Sequence, residues 1–300
     1  MAATRRRAID ALKKVTPLRV RRRLVRIRLA LRRPTARFRI TPDFMILGGQ
    51  RCGTSSLYKN LGQHPEIAPS LRKEVEYFTI DYNRGDGWYR AHFPLKLRRA
   101  LATLRGRKLL TFEATPDYLF DPRAPERIRQ DLPDAKLIVL LREPVSRAYS
   151  HYHHMARLGL EDLPFAEAIA AEETRLAGQL EEMEHNPYAR VLPFRRHSYA
   201  ARGSYAEQLD RWFDLFPRDQ FLVLKFEDLI AHPVATLNRI ADFIGVEQWA
   251  PVEFRNYSYT AKLVINPNIP EQTAQALADQ FADPNRQLEA LLGTDLGWGT

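Results

Sequence analysis

Phe44-Met45-Ile46-Leu47-Gly48-Gly49-Gln50-Arg51-Cys52-Gly53-Thr54-Ser55-Ser56 reads as a buried strand that turns tightly into a helix. The run from Phe44 to Leu47 is apolar without a break, and glycines and hydroxyl residues follow it at once. Such a turn aims backbone N–H groups and a helix N-terminus at an anion. Strand-like apolar runs recur at 43–48, 109–113, 136–141 and 221–225, and Lys136–Leu141 is apolar throughout its interior, as a strand covered on both faces requires. Helical patterns at 53–63, 144–158, 165–185 and about 271–292 lie between or after these runs. Pro144 suits a first helical turn. Ser204-Tyr205-Ala206-Glu207 looks like a capping start to a helix carrying Leu209, Trp212, Phe213 and Phe216. Strands alternating with helices predict a three-layer α/β domain with a mostly parallel central sheet. Ligands collect at the carboxyl ends of such strands, where residues 49–56 fall.

The net charge of +10 and pI near 9.8 suggest a nucleic-acid binder until the charge is located. Residues 1–40 hold fifteen Lys and Arg against Asp10 alone. Residues 41–300 hold thirty-one basic against thirty-five acidic residues, so the body is mildly acidic and no nucleic-acid partner is expected. The expected organisation is a basic leader, 1–40, followed by one domain, 41–300. The leader has neither an apolar run long enough to span a bilayer nor the apolar core and cleavage site of a secretory signal. Its apolar residues Val20, Leu24, Val25, Ile27 and Leu29 interleave with arginine. Two readings stand: an interfacial segment drawn to anionic lipid or acidic polymer, or a solvated, partly disordered tail. Cys52 is the one cysteine, which excludes an intrachain disulfide framework and a Cys-based zinc site and points to a reducing compartment. The expected location is therefore cytoplasmic, with the leader able to touch the inner membrane face. Cys52 itself reads as a small residue tolerated where serine would also fit.

Gly48-x4-Gly53-Thr54-Ser55 has the outline of a nucleotide-binding P-loop, but Thr54 stands where the Walker lysine would be and the charge has moved to Arg51. A second segment, Leu141-Arg142-Glu143-Pro144-Val145-Ser146-Arg147-Ala148-Tyr149-Ser150, follows the most apolar strand and sets Arg142 on the same side of the sheet as the first loop. An Arg fork with the Ser150 hydroxyl can hold a second phosphate. The bland alternative is a surface Arg142 paired with Glu143. A third segment is Lys73-Glu74-Val75-Glu76-Tyr77-Phe78; if extended, it puts Glu74 and Glu76 on one face. A carboxylate near a transferring group can serve as general base; the alternative is a solvated charged turn. His151-x-His153-His154 is no metal site by spacing, because His151 and His153 do not face each other on a helix, and no metal is expected.

Together the three segments resemble the sulfotransferases that use 3′-phosphoadenosine 5′-phosphosulfate (PAPS), most closely the branch with the heparan sulfate sulfotransferases and bacterial relatives. Gly85-Asp86-Gly87-Trp88-Tyr89 with Phe93-Pro94, and Glu113-Ala114-Thr115-Pro116-Asp117-Tyr118, are similar to further stretches of that branch. The likeness covers roughly residues 42 to 298 and implies a P-loop-like fold. It further implies that Arg51, Cys52, Gly53, Thr54 and Ser55 wrap the 5′-phosphosulfate, and that Arg142 and Ser150 bind the 3′-phosphate. Arg51 then stabilises the bridging oxygen, and Glu74 takes the proton of an acceptor hydroxyl or, second to it, an amine. The implied acceptor is a sugar, glycolipid or small metabolite, the spent donor is adenosine 3′,5′-bisphosphate, and no metal is required.

The chain departs from that pattern in two places. Ala114 stands where the glycosaminoglycan enzymes usually carry a lysine, so Lys73 or another cation substitutes, or the acceptor differs. Residues 257–268 offer only Lys262 where the family commonly has a Lys-Gly-Arg run, and the usual cysteine pair is absent. Two rival functions remain: a P-loop kinase or NTPase, and a non-enzymatic protein whose leader binds membrane or polyanion.

Overall fold

The four apolar runs become parallel strands, and a fifth, very short strand joins them. In a computed structural model that describes residues 17–251, 254 and 269–298, the strands are β1 (Phe44–Ile46), β2 (Ile67–Pro69), β3 (Leu110–Ala114), β4 (Lys136–Leu141) and β5 (Phe221–Lys225). They form one sheet of order β2-β3-β1-β4-β5, parallel at every pairing. The α/β class expected from sequence is the observed one. Ile46 is in register with Ala114 on one side and Ile138 on the other, so the chain leaving β1 emerges between the ends of β3 and β4.

Alternation along the strands sorts the core into two layers. Phe44, Ile46, Ile138 and Leu140 point to one face, where they meet Leu57 and Leu61 of helix α2 (Thr54–Leu61) and Leu237, Ile240 and Ile244 of helix α6 (Pro233–Ile244). Met45, Leu47, Leu137, Val139 and Leu141 point to the other. There they meet Leu209 and Trp212 of helix α5 (Tyr205–Phe213) and Leu288 of helix α7 (Glu271–Leu292). The period-2 pattern of β1 and β4 thus makes the three layers. Phe44 stacks on Phe112 across the strand pair at 4.8 Å, a contact of the kind that fixes register.

Three expectations change, and part of the leader is described. The pattern at 165–185 is three short helices, α4 (Phe165–Ala170), Glu172–Leu176 and Gln179–His185, with Gly178 left-handed at φ 75° before the last. Ser204 precedes α5 but makes no side-chain capping bond. Residues 73–78 are not extended: Glu74 and Glu76 both sit at φ 59°, a left-handed conformation that side chains rarely adopt. Residues 18–32 of the leader are helical, as α1 (Leu18–Arg32), and run into the 3-10 turn Arg33–Phe38.

Candidate active site

The loop after β1 is fixed from below by the sheet. Leu47 N–H donates to Ile138 O at 2.9 Å and Gly49 N–H to Leu140 O at 3.0 Å, which extends the ladder past the strand end. The chain then turns through left-handed residues at Gly48 (φ 69°), Arg51 (φ 75°) and Gly53 (φ 86°). Gly48 has no alternative: a Cβ there would lie 2.8 Å from Thr54 Cγ2 and 3.1 Å from Leu140 O. Gly53 is equally confined, because its Cβ would fall 2.6 Å from the Phe226 ring. Directly after it, α2 begins with Thr54 and Ser55, whose first-turn amides have no intrahelical acceptor. The turn and the helix end form the kind of concavity that binds anions through backbone N–H groups.

Cations crowd this turn. Arg51 Nε donates to Ser150 Oγ at 3.2 Å, and Arg142 Nη1 to Arg51 O at 3.4 Å, so the three side chains predicted to bind phosphate are in one cluster. Arg142 directly follows Leu141 at the end of β4, and Ser150 lies on helix α3 (Pro144–Arg157). Glu143 is not Arg142's partner. Its carboxylate caps α3, accepting from Val145 N–H and Ser146 N–H, both at 2.7 Å. Arg142 is buried with its guanidinium 5.2 Å above the Phe226 ring, and no ion pair among the described residues includes it. Burial pulls Arg51 down to about 10, with Arg142 and Arg157 adding to the effect. Burial likewise lowers Arg142, and His154 falls to about 4 through burial and the charges of Arg51 and Arg157. The site is thus a partly desolvated field of positive charge.

Cys52 is fully buried, 3.7 Å from the Tyr205 hydroxyl, and burial pushes its thiol up to about 11. It is an inert part of the turn rather than a reactive thiol. Several residues that the sequence does not single out support the loop from behind. Arg147, fully buried, donates to Gln50 O and Tyr199 O. Tyr205 donates to Arg142 O at 2.9 Å, and Glu227 accepts from Glu143 N–H at 3.0 Å. Phe226 and Glu227 directly follow β5, and a position at a strand's carboxyl end is the sequence signal that marks them.

Glu74 reaches the same strand ends from the other side. Its N–H donates to Ala114 O at 3.0 Å, which ties it to the end of β3 next to β1. The side chain is about half exposed, bonded to Lys73 Nζ, and close enough to Arg51 and His154 to act on their charges. Glu76 does not join it. It pairs with Arg195 at 2.9 Å. Arg195 also holds Asp117 at 2.6 Å, and buried Arg202 holds Asp117 at 2.9 Å. Burial pulls the Asp117 carboxyl up, but Arg202 and Arg195 together hold it below its ordinary value. Lys262, with the rest of residues 257–268, lies outside the described residues. Among the described residues no group of three His, Cys, Asp or Glu could hold a metal ion. A cavity of about 400 Å³ opens elsewhere, along β5 among Phe213, Arg218, Val223, Lys225 and Thr294.

Beneath Glu74, Glu113 is fully buried on β3. It accepts from Tyr89 Oη at 2.7 Å, Thr115 Oγ1 at 2.8 Å and Tyr118 Oη at 3.3 Å. Burial pushes its carboxyl up to about 7 although these hydroxyls pull it down. The folded protein therefore keeps a proton that the unfolded chain releases near 4.5, and stability falls as pH rises from about 4.5 to 7. Glu113→Gln is expected to flatten that slope by on the order of 1–3 kcal/mol across the window. Urea denaturation of both proteins at pH 5 and pH 7.5 measures it; parallel slopes would contradict the assignment.

Residues 41–259 match the family described as the sulfotransferase domain. Human heparan sulfate glucosamine 3-O-sulfotransferase 6 is 28% identical over 286 residues, covering 86% of this chain and 74% of that protein. The membrane-associated sulfotransferase kil1 of Dictyostelium discoideum is 27% identical, covering 86% of this chain and 66% of that one. The crystal structure of a sulfotransferase from Alicyclobacillus acidocaldarius superposes with a TM-score of 0.63 at 30% identity, over 87% of this chain and 100% of that chain.

Proposed function

The chain belongs to the sulfotransferase family, and from that premise we propose that it moves a sulfuryl group from PAPS to a hydroxyl of a carbohydrate, glycolipid or small metabolite. The observation that carries this reading is the convergence of Arg51, Arg142 and Ser150 on the N-terminus of α2. A buried guanidinium is costly without an opposing charge, and a phosphate supplies one. Backbone groups of Arg51 to Ser55 hold the 5′-phosphosulfate, while Arg142 and Ser150 hold the 3′-phosphate that distinguishes this donor from ATP. The residues present fit the donor's two anionic ends.

In the transfer, the acceptor oxygen forms its bond to sulfur as the bond from sulfur to the phosphate oxygen breaks. Glu74 takes the acceptor's proton, and adenosine 3′,5′-bisphosphate leaves. Arg51 faces the charge that develops on the bridging oxygen. Lys73, bonded to the Glu74 carboxylate, supplies a cation near the reaction centre where Ala114 supplies none. Positioning and electrostatics account for the rest. The sugar-sulfating relative supports a carbohydrate acceptor. The net acidic body favours a neutral sugar over a long polyanion, because like charge slows association.

Thermal denaturation with adenosine 3′,5′-bisphosphate and with Mg-ATP separates this reading from a kinase. The bisphosphate at 100 times its dissociation constant is expected to stabilise the fold by about 2.7 kcal/mol, a shift of several degrees. Mg-ATP at the same concentration is expected to give a smaller shift. A larger shift with Mg-ATP than with the bisphosphate would favour the kinase.

A further inference from the structure

Helix α1 is apolar on two opposite sides. Leu29 is buried against the body, whereas Val20, Leu24, Ile27 and Leu31 share the opposite face at helical spacing and stand in solvent. Arginines flank that exposed stripe. Residues 17–42 contain ten arginines and no acid. Seven of them lie within the fifteen residues of α1, where like charges three and four residues apart repel one another.

A second helix repeats the pattern. In Lys96–Thr103 and the residue after it, Leu97, Leu101 and Leu104 occupy one exposed stripe at the same spacing. Residues 87–112 carry seven Lys and Arg and no acid. The seven stripe side chains of the two helices are 45–82% exposed. Both helices leave the body at one junction. Arg32 and Arg39 donate to Phe93 O, Ile40 N–H donates to Pro94 O at 3.0 Å, and Arg39 bridges Leu95.

We propose that these two stripes seat the protein on an anionic lipid surface, with the leucine-type side chains in the acyl boundary and the arginines at the headgroups. No helix among the described residues is long and apolar enough to cross a membrane, so the contact is interfacial. A soluble polyanion would pair with the arginines and leave seven large apolar side chains in water. An anionic bilayer covers both, and that complementarity selects lipid.

Vesicle flotation of the full chain tests this, with phosphatidylcholine alone and with phosphatidylcholine mixed with phosphatidylglycerol. Binding is expected to the mixed vesicles and to weaken with added salt. The variant V20S/L24S/I27S/L31S is expected to lower the partition coefficient at least tenfold, and L97S/L101S/L104S to do so separately. Both variants keep every arginine, so the loss reports on the apolar stripes. Circular dichroism checks that α1 persists, and the second variant tests the proposal through a different helix. Wild-type binding to a sulfated polysaccharide without binding to mixed vesicles would overturn it. So would partition of both variants within twofold of wild type.

Discussion

Replacing Arg142 with methionine is expected to weaken adenosine 3′,5′-bisphosphate binding by roughly 30- to 3,000-fold, the equivalent of about 2–5 kcal/mol. Binding of adenosine 5′-monophosphate, which lacks the 3′-phosphate, is expected to change by no more than about threefold, from general loss of positive potential. The contrast follows from Arg142's position at the end of β4, buried over the Phe226 ring and near Ser150 through Arg51. Methionine suits the site because it keeps the length of the side chain and Arg142 belongs to no close ion pair among the described residues, the loss of its charge falling on the neighbouring Glu227 carboxyl. The fold is therefore expected to survive the change. Isothermal titration of the two nucleotides against wild type and variant measures the effect. Equal losses for both nucleotides would remove Arg142 from the 3′-phosphate.

Much of this arrangement is legible in the amino-acid sequence. The apolar runs at 43–48, 109–113, 136–141 and 221–225 mark β1, β3, β4 and β5 because strands buried on both faces have almost no polar residues to spare. β2 is not legible, since three residues ending in Pro69 carry too little pattern. The loop is legible because only glycine fits Gly48 and Gly53 without a clash, which leaves a mark in sequence.

The segment from Lys73 to Phe78 misleads for the opposite reason. Nothing in the residue types of Glu74 and Glu76 favours a left-handed backbone. Tertiary contacts impose it: Glu74 N–H on Ala114 O, Arg195 on Glu76, and Val75, Tyr77 and Phe78 buried in the core. The Glu76–Arg195–Asp117–Arg202 network is invisible for the same reason, because its members are joined across 78 or more residues in the Arg195 bonds. Arg147 and Tyr205 likewise gain their places behind the loop only through the fold.

Glu74→Gln is expected to slow turnover by roughly 10²–10⁴-fold while leaving adenosine 3′,5′-bisphosphate affinity within about threefold. Glutamine keeps the size and polarity of the side chain but cannot take a proton. Glu74 is half exposed, so the change is expected to cost no more than about 0.5 kcal/mol of stability. A lower kcat with unchanged donor binding is the signature of a group that acts only in the transition state.

The most direct measurement uses isotopically labelled PAPS. Wild type and Glu74→Gln are incubated with hydroxyl-bearing sugars, glycolipids and cell-extract metabolites, and mass spectrometry follows the labelled sulfuryl group. Wild type is expected to yield an acceptor heavier by one labelled sulfuryl group and an equal amount of adenosine 3′,5′-bisphosphate, with the variant slower by at least about a hundredfold. Donor binding with no labelled acceptor from any of these pools, or equal rates for the two proteins, would contradict the assignment.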